Sequence, residues 1–186
     1  MSIDANDTPR TGERLEDWIR PLLPLDRDLD QTELAALATM VGGEPRFWRD
    51  RVRHDPGQRY YSQLYRDSHV DVWLICWLDD QKTGYHDHDL SSGAVYVCEG
   101  TLVEDRFHFG VDNLSHASRE RLAGEVFEFD AAYIHGVRHA GGPPATSIHC
   151  YSPPLWRMGY YNADPNGSLC RTSMTYLEEV GEGHLH

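Results

Sequence analysis

Two histidines one residue apart, His86 and His88, are the feature that most restricts how this chain can fold. Side chains at alternate positions of a β-strand project from the same face, so an extended segment lets both imidazoles reach one metal ion. A third histidine downstream would complete a mononuclear site, and His135 is the candidate. The spacing therefore predicts a metal centre built on a β-scaffold.

The rest of the chain predicts a mainly β protein preceded by helices. Residues 13–20 and 32–41 space their apolar side chains at three and four positions, which is typical of helices, and residues 45–52 predict a third, short helix. From about residue 60, short β-rich segments are separated by Gly, Asp, Asn and Pro. We expect one domain in three parts: an N-terminal helical segment packed on the body (1–57), the β body (58–178) and a loose tail (179–186).

The composition excludes several classes of partner. The chain has 17 basic and 30 acidic residues, a net charge of −13, whereas nucleic acids and anionic membranes attract clustered Lys and Arg. No stretch approaches the roughly 20 apolar residues that span a bilayer, and the N-terminus lacks an apolar signal region. The four cysteines include no Cys-x-x-Cys pair. We expect a cytoplasmic protein, monomeric or weakly homo-oligomeric, that acts on a small molecule.

Two motifs around these histidines resemble those of the cupin superfamily. The first contains the His-x-His pair and closes at Gly100, with Gly93 at the place where cupins carry a glutamate. The second opens at Gly124 and reaches His135 at the position of the metal-ligand histidine. The resemblance implies a single jelly-roll-like cupin β-barrel with the N-terminal helices packed on it, and all three histidines as metal ligands.

Three imidazoles without a carboxylate form a neutral ligand set. Such a set binds a divalent metal and leaves coordination positions open for a substrate and dioxygen, which makes iron(II), one per chain, the leading candidate. Zinc also accepts three histidines. The alternative is that a His-x-His pair on a strand is simply two solvent-facing residues. The agreement of two spaced motifs favours the metal site.

A second constellation follows in residues 147–151. Alternation on a strand places Ser147, His149 and Tyr151 on one face. A hydroxyl, an imidazole and a phenol at this spacing can form a hydrogen-bonded relay that orients the phenol and tunes its proton. The alternative is a strand with one polar face whose intervening residues, Ile148 and Cys150, point into the core.

Together the two constellations resemble the thiol dioxygenases of the cysteine dioxygenase type over residues 58–161. The signature is three histidines without a carboxylate, then Ser-x-His-x-Tyr followed by Ser-Pro-Pro. The resemblance implies an oxidoreductase with non-haem iron(II) that adds both atoms of dioxygen to the sulfur of a small thiol, giving a sulfinic acid. It also implies that Ser147, His149 and Tyr151 form the catalytic relay beside the iron. Gly93 stands where vertebrate members carry a cysteine bonded to the tyrosine, so we expect no crosslink.

The identity of the thiol depends on which residue binds its polar group. In family members that act on cysteine, an arginine two places after a tyrosine binds the carboxylate; here Tyr61 is followed two places later by Gln63. A glutamine amide cannot make the bidentate ion pair of an arginine, so we expect a substrate other than free cysteine, such as 3-mercaptopropionate or another small thiol. Arg157 is the first candidate to restore a cation, ahead of Arg59 and Arg66, and Tyr61 is expected to bind substrate with it.

Three other functions compete with this interpretation. A different cupin oxygenase explains the histidines but not the Ser-His-Tyr spacing. A non-catalytic cupin could hold a metal and bind or sense a small ligand. A zinc hydrolase would need a general base, for which Glu99 and Glu125 are the candidates. Metal analysis separates these functions, because iron with thiol-dependent oxygen consumption favours the dioxygenase.

Overall fold

The computed structural model describes residues 12–109, 114–163 and 169–175, and the tail predicted for residues 179–186 lies outside them. Two helices come first, α1 (Leu15–Ile19) and α2 (Gln31–Gly42), and the described strands follow. These are β1 (Tyr60–Arg66), β2 (Asp71–Trp77), β3 (His86–Asp87), β4 (Ser92–Glu99), β5 (Thr101–Phe109), β6 (Leu114–Leu122), β7 (Val126–Phe129), β8 (His135–His139), β9 (Ala145–Ser152), β10 (Arg157–Ala163) and β11 (Leu169–Thr175). The mainly β prediction is confirmed. None of the described helices is long and apolar enough to cross a membrane.

The strands form two antiparallel sheets with jelly-roll topology. One sheet has the order β1-β2-β9-β4-β7 and the other the order β11-β10-β3-β8-β5-β6. From β2 to β9 the chain repeatedly crosses between the sheets, which interleaves β2, β9, β4 and β7 against β3, β8, β5 and β6 as in the double-sheet jelly roll of cupins. Within the described residues the predicted barrel is thus two separate sheets with a shared interior, rather than one closed sheet.

Helix α2 packs on β4, β9 and β7, and the apolar cluster of the whole N-terminal segment covers the outer face of β2, which explains why β2 is buried at every position. Alternate residues of β2, Val72, Leu74 and Cys76, belong to the apolar cluster that includes α2. The residues between them, among them Trp73 and Ile75, belong to a second cluster inside the jelly roll. A strand covered on both faces has a continuous run of apolar residues, as residues 72–77 do.

The predicted helix over residues 45–52 is wrong, because the segment forms two 3-10 turns, Pro45–Phe47 and Arg49–Arg51. Trp48, between them, leaves the helical region with φ −135°. Its buried indole N–H donates to the carbonyl of Gly42 at 3.2 Å, which ties the turn back to the end of α2. Tertiary burial of one aromatic side chain therefore overrides the local helical pattern. The domain boundaries at residues 57 and 178 stay a prediction.

Candidate metal centre

The structure brings the three predicted histidines together inside the jelly roll. His86 lies on β3, His88 follows directly after it, and His135 is the first residue of β8, where it pairs with His86 in the ladder. One ring nitrogen from each lies within 4.8 Å of the others, and all three side chains are buried. No other group of three such ligand types is this close among residues 12–109, 114–163 and 169–175. The alternative that His86 and His88 are two solvent-facing residues is therefore wrong, because both rings are buried and meet a third from a distant part of the chain.

The protonation of these rings suits a divalent cation. Burial, reinforced by the neighbouring histidines, lowers the pKa of His86 and of His88 well below the usual value, so both rings are neutral at pH 7. Nδ1 of His86 is 3.1 Å from the Gly84 carbonyl, which leaves its Nε2 for a ligand. Nδ1 of His88 is buried without a hydrogen-bond partner in the described structure. Three nitrogen donors in a buried cluster fit iron(II) by donor type.

Asp87, between the two histidines, anchors their strand to the C-terminal hairpin of β10 and β11. Its carboxylate accepts from Arg171 at 2.7 and 2.8 Å and from the Tyr161 hydroxyl at 2.6 Å. Burial opposes ionisation of Asp87, but these hydrogen bonds outweigh it and lower the pKa to about 2. These contacts fix the orientation of β3, which has only two residues, relative to β10 and β11. The sequence pattern pointed only to its histidines and missed Asp87.

The three side chains predicted as a relay on β9 are joined by hydrogen bonds, and a residue that sequence analysis missed donates to the first of them. Ser147 Oγ lies 2.9 Å from His149 Nε2, and His149 Nδ1 lies 3.2 Å from the Tyr151 hydroxyl. The Trp77 indole, which can only donate, donates to Ser147 Oγ at 2.9 Å. Burial, reinforced by the neighbouring His135 and Arg59, lowers the pKa of His149 to about 3, so the His149 ring is neutral.

A neutral ring donates from one nitrogen and accepts at the other. The Ser147 oxygen accepts from Trp77, and its hydroxyl lies 2.9 Å from His149 Nε2 and 3.5 Å from the Ile75 carbonyl, so these contacts fit both neutral tautomers of His149. When Ser147 donates to Nε2, the Nδ1–H of His149 donates to the Tyr151 oxygen and the phenol O–H is the last donor of the chain. The Tyr151 ring lies 5.4 Å from the His88 ring, between centroids, so the relay ends beside the histidine cluster.

A cavity opens onto the three histidines and the Tyr151 end of the relay. Its walls are mostly aromatic and aliphatic: Tyr61, Trp73, Ile75, Trp77, Phe129, Val137, Leu155 and Met158. Arg59 is the only permanently charged side chain among the described lining residues, and none of those residues is acidic. Its guanidinium lies 5.4 Å from the centre of the Tyr61 ring and 5.3 Å from that of Trp77. The cavity thus offers one cation to a ligand in otherwise apolar surroundings.

Comparison with known proteins places the chain in a family. The sequence profile described as "Cysteine dioxygenase type I" matches residues 4–164. The chain belongs to the cysteine dioxygenase type I family. "Cysteine dioxygenase type 1" of Danio rerio is 25% identical over 188 residues, covering 91% of this chain and 89% of that protein. The Homo sapiens protein of the same name is 26% identical over 184 residues, covering 93% and 89%.

Two solved structures align with part of the chain. The crystal structure of TT1209 from Thermus thermophilus aligns with a TM-score of 0.46 at 21% identity, over 56% of this chain and 92% of that chain. A double-stranded beta-helix protein from Klebsiella pneumoniae aligns with a TM-score of 0.43 at 18% identity, over 67% and 92%.

Membership of the cysteine dioxygenase family makes the protein a non-haem iron(II) thiol dioxygenase, an oxidoreductase that takes a small thiol and dioxygen. The predicted activity and cofactor are therefore confirmed. The competing predictions of a ligand sensor, a different cupin oxygenase and a zinc hydrolase are set aside, because the family profile covers the helices, the histidine cluster and the relay together.

Within this family member, the three predicted substrate-binding residues take different positions. Tyr61 lines the cavity. Gln63 lies further along β1, where its amide donates to the buried Asp71 at 3.0 Å, and it is not among the described lining residues. Arg157 is exposed and pairs with Asp89 at 3.1 Å. The cation that reaches the cavity is Arg59, one residue before β1, which sequence analysis ranked below Arg157.

Gly93, at the position where the sequence resemblance expects a crosslinking cysteine in vertebrate members, is closed in by the Phe129 ring. A Cβ atom at Gly93 would overlap the Phe129 ring and come within 3.1 Å of Tyr151 Cδ1. We therefore expect Gly93→Cys to lower the free energy of unfolding by about 1–3 kcal/mol, as for other overpacked sites, and to form no thioether with Tyr151. Urea denaturation and intact mass, which falls by two hydrogens on crosslinking, measure both.

The matched control for this prediction is Gly93→Ala in the wild-type and Phe129→Leu backgrounds. If the Phe129 ring causes the clash, the alanine should cost less free energy of unfolding when residue 129 is leucine. An equal cost in both backgrounds, or a thioether in Gly93→Cys, would contradict the account.

Proposed function

We propose that this thiol dioxygenase oxidises a small thiol that carries a carboxylate or other anionic group, such as 3-mercaptopropionate, to its sulfinate. The observation that carries the proposal is Arg59, the one permanently charged side chain among the described residues around the cavity. The relatives' name, cysteine dioxygenase, refers to a substrate with a thiol and a carboxylate, and the anionic end is the part that an arginine recognises.

The lining also argues for a thiol acid without an amino group. A guanidinium offers two parallel N–H donors to a carboxylate, and the low polarity of the surrounding rings strengthens that pair. No acidic side chain lines the cavity among the described residues, so the ammonium of cysteine or cysteamine would be desolvated without a counter-charge from the protein. We therefore rank 3-mercaptopropionate above cysteine, and cysteine above cysteamine.

The roles of the side chains follow from their positions. His86, His88 and His135 are the proposed iron ligands; ferrous iron, when bound, supplies the place where thiolate and dioxygen meet. Arg59 holds the anionic end of the thiol and so fixes the direction of its sulfur. The apolar walls exclude water, which would compete for the same positions.

Tyr151 is the proposed proton donor to the reacting oxygen or sulfur atom. Ser147 and His149 are positioning residues, because they act through Tyr151: in the proposed tautomer Ser147 donates to His149 Nε2 and the His149 Nδ1–H donates to the phenol oxygen, which leaves the phenol O–H as the donor. Trp77 supports this arrangement by occupying one acceptor position of the Ser147 oxygen.

Oxygen uptake and sulfinate formation with four thiols test the proposed substrate. The protein, loaded with one iron per chain, is assayed with 3-mercaptopropionate, cysteine, cysteamine and a bulky betaine thiol. We expect the highest kcat/KM for 3-mercaptopropionate and the lowest for cysteamine, because Arg59 attracts a carboxylate and repels an ammonium; the two zwitterions, cysteine and the betaine thiol, should lie between them. A clear preference for cysteine or cysteamine would refute the substrate proposal and leave the family assignment standing.

We also infer a cytoplasmic location. The cysteines of the described structure, Cys76, Cys98, Cys150 and Cys170, are all free thiols, which fits a reducing compartment. The expectation of a monomer or weak homo-oligomer stays a prediction that light scattering can check.

A further inference from the structure

A buried carboxylate lies directly behind one of the three clustered histidines. Glu104, on β5, is buried, and β5 pairs with β8, which begins at His135. Oε1 of Glu104 lies 3.2 Å from His135 Nδ1. This leaves His135 Nε2 to face the other two rings, because a neutral imidazole that donates from Nδ1 has its lone pair on Nε2. Cupins often carry a ligating glutamate, and here Gly93 replaces it; a carboxylate is nevertheless present, one hydrogen bond further out.

Glu104 is held as an anion by its other partners. The Tyr133 hydroxyl donates to Oε1 at 2.9 Å, and the Arg121 guanidinium donates to Oε2 from Nε at 3.1 Å and also from Nη2. A carboxylate that accepts from an arginine, a phenol and an imidazole has no site left for its own proton. The contact with His135 is therefore charge-assisted.

The other two histidines have no comparable support. His86 Nδ1 meets the neutral carbonyl of Gly84 at 3.1 Å, and His88 Nδ1 has no hydrogen-bond partner among the described residues. The His88 ring instead stacks on Phe129, 4.4 Å between centroids. The Nδ1 atoms of the three histidines therefore differ in their hydrogen-bond partners. Of these three, only His135 contacts a carboxylate of a described residue through Nδ1.

We propose that Glu104 is a positioning and tuning residue, which delivers negative charge to the iron site through His135. An imidazole whose N–H is donated to a carboxylate is a stronger metal ligand than one donating to a neutral acceptor, and its ring orientation is fixed. Glu104 therefore strengthens iron(II) binding and favours the ferric over the ferrous state, without contacting substrate. The inference rests on the proposed ligand set, but not on the identity of the thiol.

The test is metal binding by the apoprotein, measured without any thiol. Glu104→Gln keeps the size of the side chain and removes its charge. We expect its affinity for iron(II), measured anaerobically against a chromophoric chelator, to fall by about 10- to 100-fold. The Fe(III)/Fe(II) potential should shift to more positive values, because the ferric ion loses the larger electrostatic stabilisation.

Asp105→Asn is the matched control. Asp105 is the next residue of β5 and so projects to the opposite face, where it pairs with Arg138 at 3.0 Å. The substitution removes the same charge from the same strand, and we expect iron affinity and potential to stay at wild-type values. Equal effects of both substitutions would mean that net charge, and not the His135 contact, is responsible.

Tyr133→Phe tests the proposal in the opposite direction and does not depend on Glu104→Gln folding. It removes the phenol that competes with His135 for Oε1. The remaining hydrogen bond to His135 should strengthen, so the potential should become more negative and iron should bind no more weakly. A potential that is unchanged or more positive in Tyr133→Phe, or wild-type affinity and potential in a folded Glu104→Gln protein, would overturn the proposal. A changed order of thiol preference would bear only on the proposed substrate.

Discussion

The variant His88→Ala is expected to bind no iron and to consume no oxygen with any thiol. Three neutral imidazoles are the whole proposed ligand set, and two histidines rarely retain a ferrous ion against water and chelators. His88 is the most informative of the three to remove, because its Nδ1 has no hydrogen-bond partner among the described residues. Its loss therefore breaks no hydrogen bond that the described structure contains. Metal analysis and an oxygen electrode measure the two expected losses.

His139→Ala is the matched control for this variant. His139 is also a buried histidine of this body, but its ring nitrogens are used by Asp79 at 2.8 Å and by the Pro143 carbonyl at 2.9 Å, and it does not line the cavity. We expect its loss to lower the melting temperature and to leave one iron per chain. Iron at one per chain in His88→Ala, with wild-type activity, would contradict the proposed ligand set.

Much of the site was predictable because its signals are local. A His-x-His pair needs only the two-residue period of a strand to share a face, and the same period placed Ser147, His149 and Tyr151 together. The apolar run of β2 predicted a buried strand for the same kind of reason.

The remaining parts depend on contacts between distant segments. Glu104 meets His135 across 31 positions, and Trp77 meets Ser147 across 70, so neither pair has a spacing that a sequence pattern can reveal. The register of β1 against β2 likewise depends on a contact between two segments and cannot be read from a short sequence pattern. Arg59 and Arg66 lie at the two ends of β1 next to tyrosines, and the pairing of β1 with β2 places Arg59 beside Trp77 at the cavity and Arg66 beside Asp71.

That register leads to the second large effect, which is expected in Arg59→Met. Methionine keeps an unbranched apolar stem against Tyr61 and Trp77 and removes the cation. We expect kcat/KM for 3-mercaptopropionate to fall on the order of 10²-fold, which corresponds to about 2.7 kcal/mol. This lies at the low end of the range for truncating one partner of a buried charge pair, as suits a half-buried arginine. Steady-state oxygen uptake measures it.

The same variant should treat a cationic thiol differently, and that contrast separates charge recognition from general damage. Cysteamine is repelled by Arg59, so its kcat/KM should stay unchanged or rise in Arg59→Met. Arg157→Met removes an equal charge from the exposed pair with Asp89 and should leave both substrates at wild-type rates. Parallel losses for both thiols in Arg59→Met, or the larger loss in Arg157→Met, would mean that the anionic end of the substrate is bound elsewhere. Because iron content is independent of either arginine, it should remain at one per chain throughout.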